Sequence, residues 1–237
     1  MTRVRRRAAR GLAAMVVSAM LSLVALVAIA PPAHATDPRT DEARLRARLA
    51  PEVVQQVLAI VREAREAGLP ADPLVARALE GASRGADAAG ILAGVRRQAT
   101  ALAQARAALG AAAASDEIVA GASALMAGVP ADSLARLRAA RAGGSLVIPL
   151  VVLCDLVARG VPVDAASVAV LTAARAGATD LALLRIRERI HSRIESGGAP
   201  AGAAGEIVRQ WLRDAPSRSR RDSPDSEAPH VKRNQVP

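Results

Sequence analysis

The sequence predicts an all-α fold of stacked helical hairpins, either α-solenoid-like or a compact helical array. Three observations lead there. The pattern Gly-x-Pro-x-Asp occurs as Gly68–Asp72, Gly128–Asp132 and Gly160–Asp164. Each copy follows an apolar-periodic segment and precedes a short Ala/Leu/Arg segment, a stop-and-restart signal with a spacing of about 30 residues, as in stacked helix pairs. Finally, 51% of the 237 residues are hydrophobic, yet there is no Phe, no Tyr and a single Trp, Trp211. A core of Ala, Val, Leu and Ile suits closely packed helices, whereas strands draw on aromatic and β-branched residues.

Residues 1–35 have the three parts of a cleaved secretory signal peptide. Arg3, Arg5, Arg6, Arg7 and Arg10 precede an apolar run over 11–30; Pro31-Pro32 then breaks the helix, and Ala33 and Ala35 are the small residues a signal peptidase reads. Cleavage after Ala35 leaves Thr36 as the N-terminus. The alternative is an uncleaved inner-membrane anchor over 11–30, since a spanning helix needs about 20 apolar residues. No Cys stands near the site to carry a lipid, and the residues after the Arg triplet lack the usual twin-arginine form. Five of the 32 basic residues lie in this leader, so the formal charge of +10 overstates the body, where 27 basic residues face 22 acidic ones. Lys232 is the sole lysine, an Arg bias that points to GC-rich coding rather than to phosphate contacts.

Residues 36–50 read as a polar segment, poorly ordered at its start. The helical domain spans 51–214. Pro51 opens a helix to about Ala67, with Val53, Val54, Val57, Val61 and Ala64 on one face. Gly68 stops it in the left-handed conformation, Pro70 forbids continuation, and Asp72 is placed to cap the next helix, with Pro73 at its first position. Asp132 and Asp164 are expected to cap in the same way, so a carboxylate that recurs like a catalytic set reads as structural. Helices are predicted near 73–84, 87–109, 116–127, 133–142, 146–159, 165–176, 180–196 and 203–214. They pair as hairpins over 68–97, 98–127, 128–159 and 160–197. The second lacks the motif and rests on spacing, with its turn at Gly110 to Ser115; one long irregular helix is the alternative. The segment from Leu146 is apolar on every side, too short to span a bilayer, and therefore belongs at the domain centre. Residues 215–237, rich in Ser, Pro, Arg and Asp, read as a disordered tail.

The unit length resembles tetratricopeptide or HEAT-type repeats without the signatures of either. The stretch Gly68-Leu-Pro-Ala-Asp-Pro-Leu-Val-Ala-Arg-Ala-Leu-Glu-Gly-Ala-Ser-Arg-Gly85, followed by Ile91 and Val95, resembles a pattern of exported, Ala-rich helical-repeat proteins of GC-rich bacteria, an uncharacterised group. Over roughly 60–200, the resemblance implies export and a helical body and attaches no activity or site.

No residue pattern announces catalysis. Cys154, the only cysteine, lies in an apolar run where a buried inert thiol is expected. Of three histidines only His191 falls in the helical domain, beside the stripe Leu183, Ile186, Ile190 and Ile194, and reads as a boundary residue with its ring partly packed. There is no metal-ligand spacing, phosphate loop or nucleophile elbow, so no cofactor and no enzymatic activity is expected. One surface stands out: Arg185, Arg189 and Arg193 at i, i+4, i+8, with Arg187 nearby. Such a ridge is either a solvated face answered by Glu188 and Glu195 or a dock for an acidic protein or anionic envelope polymer. Nucleic acid is not expected, because aromatic stacking residues are lacking. The sequence thus points to a secreted or periplasmic, non-enzymatic scaffold or interaction module, with membrane attachment only if the leader is retained.

Overall fold

The computed structural model describes residues 38–221, with side chains from Arg39 to Asp214. Among these residues there are ten helices and no strand. They are α1 (Pro38–Arg46), α2 (Pro51–Glu66), α3 (Asp72–Ser83), α4 (Ala88–Leu109), α5 (Ser115–Met126), α6 (Ala131–Ala140), α7 (Val147–Ala158), α8 (Val163–Arg175), α9 (Asp180–Glu195) and α10 (Pro200–Arg221). The substantial helix contacts join only helices one or two places apart along the chain. Helices α2, α4, α6, α8 and α10 form one row, each touching the next. The other row is α1 with α3, then α5, α7 and α9 in succession, and α1–α2, α2–α3, α3–α4, α4–α5, α7–α8 and α9–α10 bridge the rows. This is the contact pattern of stacked hairpins, with one apolar cluster running through the stack from Leu45 to Trp211.

The three Gly-x-Pro-x-Asp turns share one geometry. Gly68, Gly128 and Gly160 take φ of 67°, 92° and 85°, a region that a Cβ penalises. Each glycine N–H donates to the carbonyl three residues back, and the following N–H to the carbonyl five residues back. That pair of bonds satisfies helix-end carbonyls in the Schellman manner. The residue after the glycine turns inward, with Val129 and Val161 buried. At the first turn a second device is added: Arg106 on α4 donates from Nη1 to the Gly68 carbonyl at 2.6 Å.

The aspartates do not cap. The caps are Ala71, Pro130 and Pro162, none with a side-chain cap bond. Asp72 is therefore the first helical residue of α3, and Asp132 and Asp164 are the second of α6 and α8. Pro130 and Pro162 hold extended backbone (ψ 144° and 140°) and start the helix one residue earlier than a capping Asp requires. The carboxylates still face the positive end of the helix dipole. Side-chain caps do occur where no proline pre-empts them: Asp87 accepts from Gly90 N–H at 2.8 Å, and Thr179 from Ala182 N–H at 3.2 Å.

Both predicted ends need correction. Residues 38–46 are helical, because Asp41 and Leu45 are buried and Asp41 takes the Arg65 guanidinium of α2 at 2.8 Å. Helix α10 runs to Arg221, past Pro216 and the boundary expected at 214. Pro216 removes one N–H donor and does not stop the helix. The rest of the expected tail, and the leader with Ala33 and Ala35, lie outside the described residues. The boundary expected at 97/98 between the first two hairpins falls inside α4, which runs unbroken from Ala88 to Leu109, and the chain breaks at Gly110, where the turn was expected.

Small residues set the helix spacing at one junction. A Cβ on Gly121 of α5 would lie 3.0 Å from Leu109 Cδ1, 3.1 Å from Ala105 Cβ and 3.2 Å from Leu134 Cδ2. Gly121→Val is thus expected to destabilise the protein by about 1–3 kcal/mol, the usual cost of overpacking, read as a lowered thermal midpoint.

Candidate functional site

The predicted arginine ridge does not survive as a single surface. On α9, Arg187 turns toward α7, where its Nε lies 3.7 Å from Asp155 Oδ2. Arg193 is taken up by Glu206 of α10 at 3.3 Å. Arg185 is exposed and Arg189 half-buried, and among the described residues neither has an ion-pair partner. The outward stripe of α9 reads Leu181, Arg185, Glu188 and Ser192, all exposed, with Leu181 57% exposed. Helical pitch explains the split: residues 185, 189 and 193 drift around the axis by about 40° per four residues, and 187 lies on another face.

What the inward arginine meets is the principal buried polar cluster of the C-terminal half. Helix α7 has no exposed residue among its twelve, as its all-round apolarity required, and it packs on α5, α8 and α9. Its one charged residue, Asp155, points at α9. His191 Nε2 lies 2.9 Å from Asp155 Oδ2, and Arg159 Nε lies 3.7 Å from Oδ1. Arg159 also reaches Glu195 at 3.7 Å. The His191 contact is close but lacks hydrogen-bond alignment, and the Nε atoms of Arg159 and Arg187 are likewise buried without an aligned acceptor. One carboxylate therefore serves three nitrogen groups by charge and proximity rather than by directed bonds. Burial pushes the His191 imidazole below its ordinary value; the Asp155 carboxylate opposes this, and the two guanidiniums reinforce it. The neighbouring Cys154 thiol is pushed up to about 11, first by burial and then by Asp155, so it is not poised as a nucleophile.

A second cluster ties three helices together. Glu117 of α5 accepts from its own helix start, Ala114 N–H, at 3.1 Å, and from Leu146 N–H at 2.8 Å, just before α7. It also takes Arg138 Nη2 of α6 at 2.6 Å, while Arg138 Nη1 donates to the Gly144 carbonyl at 3.0 Å. Burial raises the Glu117 pKa, but the Arg138 bond and the two backbone N–H groups outweigh it and hold the carboxyl below its usual range. Nearby, Arg141 pairs with Asp180 at the start of α9 at 2.7 Å. Sequence reasoning named neither Glu117 nor the Asp155 cluster as joints. For Asp155 the signal was present, a lone acidic residue within an otherwise apolar helix, but Arg187 and His191 lie 32 and 36 residues away.

Cavities are shallow. One, about 540 Å³, is an open groove between α4 and α6 bordered by Gln104, Ala107, Leu125, Val129, Asp132 and Ala135. Among the described residues no group of three or more His, Cys, Asp or Glu stands close enough to hold a metal ion, and no helix is long and apolar enough to cross a membrane. No family model, curated protein or solved structure matches this chain.

Proposed function

We propose that this is an exported, non-enzymatic helical scaffold that docks a partner protein in the cell envelope. The observation behind the reading is how the polar residues are used. Asp41, Glu117 and Asp155, the buried carboxylates, each face a guanidinium of a neighbouring helix, which is the work of joints. On the outer edge of α9, exposed Leu181 stands one turn from exposed Arg185 and half-buried Arg189 follows; among the described residues neither arginine has an ion-pair partner. An apolar anchor beside cations fits an acidic protein surface, because the apolar contact supplies affinity and the charges supply orientation. Export rests on the leader over 1–35. The length of its apolar run makes membrane retention the alternative, and an intact N-terminus in place of Thr36, by mass spectrometry of the exported protein, would establish it.

The test of docking is crosslinking and recovery from the native envelope fraction. A specific partner should be retained in low salt, and the double change Arg185→Glu, Arg189→Glu should reduce its recovery about tenfold, on the scale of one to two kcal/mol for two rim charges. Recovery indifferent to both salt and charge reversal would remove α9 as the docking edge. Recovery of an anionic polymer instead would replace the protein partner.

A further inference from the structure

We propose that the α7–α9 junction is a pH-sensitive latch: mild acidification protonates His191, adds a third cation beside the buried Asp155, and releases the terminal α9–α10 hairpin from the stack. The geometry supplies each part. The His191 side chain is 5% exposed and its Nε2 touches Asp155 Oδ2, so the imidazole cannot gain a proton without a charge entering the junction. An unoccupied carboxylate would welcome that charge. Asp155 is already shared by the guanidiniums of Arg159 and Arg187, each at 3.7 Å.

The charges around the ring leave little compensation. From α7 only Asp155 and, at its end, Arg159 face the cluster, the remainder of that helix being uncharged. From α9 itself come Arg187 and Glu188, and Glu195 meets Arg159; the two glutamates are 70% and 71% exposed and so are screened by water. From α10, Glu206 is engaged by Arg193, and Arg209, Arg213 and Asp214 are exposed. The sign follows: a histidine held neutral by its fold contributes stability above its unfolded value, about 6.5, and that contribution is lost as pH falls. Position decides what opens. Helix α9 is held by α7, α10 and the Arg141–Asp180 pair, and α10 by α8 and α9, so among the described residues the two helices can leave by giving up that one further ion pair while α1 to α5 stay undisturbed, as at the end of a stack.

Amide hydrogen exchange of the full chain at pH 7.5 and pH 5, corrected for intrinsic rates, tests this. Protection of α9 and α10 is expected to fall about tenfold at pH 5, with that of α2 to α5 unchanged, and His191→Gln is expected to abolish the step. An equal loss in α2 to α5, no loss at all, or the same loss in a folded His191→Gln variant overturns the latch. Should that variant not fold, an NMR titration of His191 in the unaltered chain decides: a midpoint below 6.5 supports the latch, and one at or above 6.5 refutes it.

Discussion

Glu117→Ala is expected to lower the unfolding free energy by about 3 kcal/mol, at the lower end of what breaking a buried ion pair costs. The change removes four things at once: the Arg138 pair, the acceptor for Leu146 N–H, the acceptor for Ala114 N–H and the joint among α5, α6 and α7. Leu146 is fully buried, so its N–H would be left without a partner, the costlier half of a lost hydrogen bond. Glu117→Gln keeps an acceptor oxygen and loses the charge, and about half the effect is expected. Chemical denaturation at pH 7 measures both. The same residue gives a pH dependence. Its carboxyl lies below the usual range in the folded protein, so its contribution is complete above the unfolded value, about 4.3, and is lost as pH falls through the folded value. Acid unfolding of Glu117→Gln should therefore be less steep than that of the unaltered chain below about pH 4.3. Parallel acid transitions would contradict the assignment.

Asp155→Ala carries the other large effect, also about 3 kcal/mol, because it leaves Arg159, Arg187 and the His191 ring converging without their one buried counter-charge, with only the exposed Glu188 and Glu195 remaining. Asp155→Asn keeps the shape and loses the charge. It should recover little of the stability, since the contacts it replaces are made at distance and without aligned bonds. A double change of Asp155→Asn with Arg187→Leu relieves one of the cations and should be less destabilised than the sum of the two single changes. Thermal melts of the three proteins provide the cycle. Additive effects would show that Arg187 and Asp155 do not act together. The groups concerned are partly exposed arginines, so the coupling between any one of them and Asp155 is expected near 1 kcal/mol, well under the loss when the carboxylate itself is removed.

The helices were legible because their signals are local. The apolar stripe of α2 (Val53, Val54, Val57, Val61, Ala64) is buried as its spacing requires. The glycines at 68, 128 and 160 stop their helices with positive φ. The all-apolar segment after Leu146 leaves no residue exposed, though Val147, Ile148, Val151, Cys154, Val157 and Ala158 are only half-buried, so it lies within its row and is not surrounded on every side. The capping role given to Asp132 and Asp164 failed for an equally local reason: Pro130 and Pro162 pre-set the backbone and take the cap position themselves, while at the first turn Ala71 takes it and Asp72 is the first helical residue. What could not be read was whatever depends on a distant partner. A helix over 38–46 looks too polar to order until Arg65 is brought to Asp41. Arg187 looks like one more surface charge until α7 places Asp155 beneath it. The arginine ridge, inferred from spacing along one helix, dissolved because neighbouring helices supplied carboxylates to two of its members.

By itself, then, the sequence determined the helical class, the places where helices stop, and which faces turn inward, since apolar periodicity and the backbone freedom of Gly and Pro act within a few residues. Tertiary structure alone decided the two-row order of the stack, the joints at Glu117 and Asp155, and which arginines of α9 turn toward carboxylates of neighbouring helices. Those outcomes depend on charges meeting across helices, and Coulomb attraction depends on distance in space, to which separation along the chain is no guide.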